Sequence, residues 1–95
     1  MTGLGFEWDP KKDAANKRKH KIGFAEASTV FGDLLSITIP DYEHGSDEER
    51  FVIIGLSAAQ RLLVVVHTVR AKRIRLISAR AATKPERSSY EESTL

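Results

Sequence analysis

RLLVVVHTVRAKRIRLISAR, residues 61–80, decides the fold of this 95-residue chain. Its first half, 62–66, is an unbroken apolar and mostly β-branched run. That is too short for a buried helix and typical of a strand covered on both faces. The return strand, 72–79, alternates instead: Ile74, Leu76 and Ser78 fall on one face, and Arg73, Arg75, Ile77 and Ala79 on the other. A tight connection joins the two. A turn centred between Arg70 and Ala71 pairs His67 with Ile74, whereas one centred on Ala71 pairs it with Arg75 and brings base and cation onto one face. The sequence leaves both registers open. His67, Arg70, Arg73, Arg75 and Arg80 thread polar groups through the most hydrophobic part of the protein, more than a hairpin needs for its own sake. Sheet cations are commonly solvated face residues, so a structural reading stands beside the functional one.

Working outward, Thr83-Lys84-Pro85-Glu86 is a capping box that predicts a C-terminal helix to about residue 92, with 93–95 frayed. Upstream, 57–60 links the hairpin to a strand at 51–56. Residues 34–39 read as another strand, ended by Pro40. Asp9-Pro10 is a helix start, with Asp9 as the cap and Pro10 at the first helical position, and that helix runs to about His20. Phe24, Ala27, Val30 and Phe31 form the buried side of a second helix over 25–31. Phe6-Glu7-Trp8 is a short first strand. The order β-α-α-β-β-β-β-α, with short links between the late strands, predicts a single α+β domain over 1–95. Its expected form is a twisted antiparallel sheet with helices gathered on one face, Val64 and Val66 among the most buried residues.

The chain has no cysteine, hence no disulfide or thiolate chemistry, and no apolar run of transmembrane length. The start, MTGLGFEWDP, lacks a signal-peptide core, so a cytoplasmic protein with no membrane association is expected. The net charge of +2 hides strong segregation. Lys11, Lys12, Lys17, Arg18, Lys19 and Lys21 form one basic block, and eight cations between Arg61 and Arg87 form another. Acids gather between them at Asp41, Glu43, Asp47, Glu48 and Glu49. Two basic blocks around an acidic loop suggest a polyanion partner such as nucleic acid. The loop 41–49 is no calcium loop, because its glycine falls one position early and Val52 stands where the closing carboxylate belongs. His44 within it is expected to be exposed and inert. No nucleophile elbow, phosphate-binding glycine loop or metal-spaced histidine pair is present, and no cofactor is implied.

Several separately spaced motifs carry a family resemblance over residues 6–92. They are FEWDP before a Lys-rich helix ending in KH, then GFAEASTVFGD, EERFVIIG, RLLVVVHT, IRLISAR, and AT-x-x-E-R-x-x-YEE. Together they resemble the BrnT toxins, ribonucleases of bacterial type II toxin–antitoxin systems with a RelE-like fold. The resemblance implies a cytoplasmic, metal-independent endoribonuclease that inhibits translation. It also implies a cognate BrnA-like antitoxin with a ribbon-helix-helix domain, whose complex with the toxin binds operator DNA. The chain departs from the family pattern at Val69 and Ala71, where relatives have Glu-Arg-Gly around Arg70, and at Ala81, where a second arginine often follows Arg80. Ala71 replaces a turn glycine, which predicts a different turn geometry because alanine tolerates positive φ poorly. The lost charges predict weaker catalysis rather than a different fold.

Metal-free RNA cleavage needs the 2′-OH to attack the adjacent phosphorus. A base takes its proton, an acid protonates the leaving 5′-oxygen, and cations stabilise the phosphorane. Arg70, Arg75 and Arg80 suit the last role, since a guanidinium is always charged and can fork onto two phosphate oxygens. His67 alone in this stretch titrates near neutrality; it is either the base or acid, or a core histidine bonded within the sheet. Lys11, Arg61, Lys84 and Arg87 are candidates for flanking phosphates. Tyr90 is a candidate for stacking or proton donation, with helix packing as its structural alternative. The other functional class is a non-catalytic module of the same fold that binds RNA or a partner protein.

Overall fold

The computed structural model describes residues 5–41 and 49–93. Five strands and three α-helices follow the expected order: β1 Gly5–Glu7, α1 Pro10–His20, α2 Phe24–Ser28, β2 Ile37–Pro40, β3 Phe51–Leu56, β4 Leu62–Arg70, β5 Arg73–Ala81 and α3 Lys84–Ser93. The strands form one sheet in the spatial order β1-β5-β4-β3-β2. From β2 to β5 it is an antiparallel meander, but β1 lies parallel to β5, so the sheet is mixed rather than wholly antiparallel. A three-residue N-terminal strand carries too little pattern to declare its partner. Among the described residues no helix is long and apolar enough to cross a membrane.

The helices also depart from the expected arrangement, because they cover opposite faces of the sheet. Alternation along β3 and β4 sends Ile53, Leu63 and Val65 to one side, where they pack with Ile22, Phe24, Ala27 and Val30 of the N-terminal helices. Ile54, Leu62 and Val64 point the other way and pack with Ala82 and Tyr90, under α3. A strand buried on both faces is what the unbroken run 62–66 implied, and a helix on each side is how that burial is met. Val64 is 3% exposed, as expected. Val66 is only half-buried and lies outside the cluster that packs under α3.

Local chemistry sets the element ends. Asp9 accepts from the Lys11 amide at 2.8 Å, and Lys21 closes α1 in the left-handed region at φ 61°. Asp13 reaches across to the Phe24 amide at 2.8 Å and so serves the start of α2. That helix is shorter than expected and continues as a 3-10 turn, Thr29–Gly32. Its hydroxyls, Ser28 to the Ala25 carbonyl and Thr29 to that of Glu26, compete for the backbone just there. Asp33 then folds residues 33–36 into a turn by accepting from the Leu35 amide, which delays β2 to Ile37 and leaves Leu34 98% exposed. At the other end Thr83 and Glu86 make the reciprocal capping box, the Thr83 amide donating to Glu86 at 2.8 Å. The last helix includes Ser93, one residue beyond expectation; Thr94, Leu95, His44 and most of the acidic loop lie outside the described residues.

Candidate active site

The hairpin adopts neither expected register. Arg70 pairs with Arg73, Val69 with Ile74, Thr68 with Arg75 and His67 with Leu76. The turn is therefore the two residues Ala71 and Lys72, both left-handed at φ 48° and 66°. Two consecutive positive φ angles make the primed hairpin turn that matches strand twist, so alanine keeps the geometry a glycine would give and bears its strain.

Beyond the turn β5 contains a bulge. Val66 pairs with Ser78 while its neighbour His67 pairs with Leu76, so Ile77 is an extra residue with no partner of its own. The bulge reverses the alternation expected for the rest of the strand. Ala79 joins Ile74 and Leu76 in the core under α1 and α2. Arg73 and Arg75, before the bulge, and Ser78 and Arg80, after it, share the opposite face with Val64, Val66, Thr68 and Arg70 of β4.

His67 is on the other side. It is 5% exposed, with its ring edge-on to Phe31 at 4.8 Å and tilted over Phe51 at 5.9 Å. Burial pushes its pKa below the usual value, and a 3.3 Å contact of Nδ1 with the Val65 carbonyl offsets this only in part. Four candidates thus separate by face into the three arginines and the histidine.

Two of the arginines are held by carboxylates. Arg80 forks onto Glu86 at 2.7 and 2.8 Å, which pulls the Glu86 carboxyl down to about 2 and raises the arginine. The same carboxylate closes the helix cap, so Arg80 is fixed to the start of α3. Arg75 pairs with Glu7 of β1 at 3.0 Å, its neighbour in the parallel ladder. Arg70 is exposed at the turn. Lys84 and Arg87 are exposed on either side of Glu86, and Lys11 is exposed at the start of α1. Arg61 is elsewhere: its Nε donates to Glu26 at 2.9 Å and its Nη2 to the Lys21 carbonyl at 3.2 Å, tying the β3–β4 turn to the N-terminal helices. Tyr90 donates to Asp33 at 2.6 Å, which raises the phenol to about 12. Burial alone would raise Asp33, but bonds from the Leu56 amide, Tyr90 and the Leu35 amide hold it below the usual carboxylate value.

Against this geometry, a family model described as "Ribonuclease toxin, BrnT, of type II toxin-antitoxin system" matches residues 8–86. The chain belongs to the BrnT family. Among solved structures, the crystal structure of the Brucella abortus ribonuclease toxin, BrnT, is similar at a TM-score of 0.67. It is 21% identical and covers 86% of this chain and 100% of its own, a likeness of fold. A search of curated proteins gives no match. The BrnT family is one of ribonuclease toxins, and it implies an RNA substrate and an antitoxin partner.

Two residues of this BrnT chain escaped the sequence reading. Asn16, the buried residue of α1, uses its amide as a strand would: Nδ2 donates to the carbonyls of Ala79 and Ile22 at 2.9 Å each, and Oδ1 accepts from the Ala79 amide at 3.1 Å. It closes the edge of β5 that β1 is too short to reach. An asparagine within a lysine-rich, otherwise solvated helix was the available signal. Arg50 precedes β3, and its Nε is buried without a hydrogen-bond partner. Phe51 pairs with His67, so alternation puts Arg50 toward the arginine face, beside Val52. Its place between an acidic loop and an apolar strand gave no hint of that.

Proposed function

We propose that this BrnT-family toxin cleaves RNA without a metal ion, on the sheet face that carries Arg70, Arg75 and Arg80. The observation that supports the reading most is the bulge at Ile77, which gathers arginines from both halves of β5 onto that one face. A scissile phosphate lying over the face meets guanidinium groups able to hold its equatorial oxygens as the 2′-OH attacks. Arg50, placed on the same face by alternation from Phe51, supplies a further guanidinium. Lys84, Arg87 and Lys11 hold flanking phosphates. Metal independence is supported by the carboxylates that border the arginines, Glu7 and Glu86, each engaged by a guanidinium. His67 packs in the core and takes no part in the chemistry, and Arg61 and Tyr90 hold elements together.

In this reading the toxin acts in the cytoplasm and inhibits translation. A BrnA-like antitoxin with a ribbon-helix-helix domain neutralises it by covering the arginine face, and the pair binds operator DNA through the antitoxin. The ion pairs that already occupy Arg75 and Arg80 favour a second reading, a non-catalytic RNA- or protein-binding module. Incubation with synthetic RNA in EDTA decides between them. Cleavage is expected to survive chelation and to fall by about a hundredfold in Arg80→Ala, the usual scale for losing one charge-stabilising donor. An Arg80→Ala protein that folds and cleaves like the parent refutes the site.

A further inference from the structure

We infer that a second site, a groove between α1 and the bulged part of β5, binds the phosphate backbone of single-stranded RNA outside the cleavage face. The inference rests on the ribonuclease reading above. The groove has a volume of about 220 Å³ and is lined by Lys12, Asn16, Lys19, His20, Ile77 and Ser78, together with Ala15. Among the described residues it contains no carboxylate. The acid of α1, Asp13, is turned to the Phe24 amide at 2.8 Å and to Lys17 at 3.5 Å. Asn16 forms a wall rather than a ligand, because its amide is committed to Ala79 and Ile22.

Spacing favours a strand over a single ion. Lys12 and Lys19 stand seven residues apart on one side of α1, about 10 Å along the helix axis. Both are exposed. His20, half-buried beside them, adds a donor at the far end. The groove also has continuity with the cleavage face. Ser78 lines it and, through its pairing with Val66, belongs to the arginine side of β5. The extra residue Ile77 widens the strand edge where the two surfaces meet. Chain that leaves Arg75 and Arg80 across that edge therefore runs into the two lysines. Among the described residues no phenylalanine, tyrosine or tryptophan lines the groove, and the one ring there is the half-buried His20, so its contribution comes mainly from the phosphate backbone and is largely sequence-independent.

The test uses the Lys12→Ala/Lys19→Ala protein and 2′-O-methyl oligonucleotides, which lack the attacking hydroxyl, of about 12 and about 4 nucleotides. Two exposed lysines replaced by the best helix former leave the fold intact, which circular dichroism checks. For the long oligonucleotide, two lost phosphate contacts are expected to lower the slope of log affinity against log salt by about 1.4, roughly a tenfold loss near 0.15 M salt. Affinity for the short oligonucleotide, and the rate on a short cleavable RNA, are expected to stay at the parental value. An unchanged affinity and salt slope for the long oligonucleotide overturns the inference and leaves the ribonuclease reading standing. Unchanged RNA binding with loss of an acidic polypeptide such as polyglutamate overturns it in favour of a protein-binding groove. If the parent cleaves no RNA, the ribonuclease reading fails, while the oligonucleotide titration still decides the groove.

Discussion

His67 offers the sharpest division between a chemical and a packing role. Replacing it with alanine removes a ring that is 5% exposed and lies against Phe31 and Phe51. Each aromatic pair contributes about 0.5–1.5 kcal/mol beyond burial, and the cavity adds to this, giving on the order of 3 kcal/mol in all. Followed by Trp8 fluorescence in urea, that is a midpoint shift of roughly 2 M for a domain of this size. Acid provides the second arm. Burial lowers the folded-state pKa of His67, so below the unfolded value of 6.5 the unfolded chain binds more protons than the native one. The stability due to the neutral ring is complete above about 6.5 and declines as pH falls toward the folded-state value. His67→Gln is expected to abolish that decline and leave the pH profile of RNA cleavage flat between 5 and 8, on the scale of the parent. A His67→Gln protein of parental stability that has lost a rate limb near 6.5 refutes this reasoning and returns the imidazole to the chemistry.

Three further outcomes are expected. Ala71→Gly relieves a left-handed alanine, raising stability by up to about 1 kcal/mol, or roughly 4–8 °C in Tm, with cleavage unchanged; calorimetry checks it. Asn16→Leu leaves the Ala79 amide and the Ala79 and Ile22 carbonyls without their partner, costing about 3 kcal/mol or more in urea unfolding. Tyr90→Phe loses one bond to Asp33 at a partly exposed site, so it lowers stability by about 1 kcal/mol and spares the single-turnover rate; a large rate loss would place the phenol at the reacting atoms instead.

Much of the architecture was legible because its signals are local. The β-branched run 62–66, the Asp9-Pro10 start and the Thr83–Glu86 box each state their structure within a few residues, and each is found as read. The features that misled are those set by distant partners. On the side of the sheet that α3 takes, Tyr90 packs on Ile54, Leu62 and Val64 and meets Asp33, 57 positions away. The parallel edge brings Glu7 to Arg75 across 68 positions. In the candidate site the residue types were visible but their grouping was not, since alternation was counted as if β5 were regular. The glycine-to-alanine departure at the turn misled in the opposite direction: a strained but tolerable conformation at Ala71 preserved the hairpin.

That miscount has a consequence for how the chain can change. Arg75 and Arg80 are an odd number of positions apart, and in a regular strand they would lie back to back, with the sheet between them. At that separation their cooperation depends on Ile77 staying out of the ladder, whatever side chain it carries. Substitutions at this position are therefore buffered, and so is its deletion, which leaves Arg75 and Arg80 four positions apart in a regular strand and still on one face; ironing out the bulge with every residue kept would divide them between solvent and core. The two halves of the strand behave like text on either side of a stray letter, legible with the letter set aside or struck out and garbled only when it is read in line.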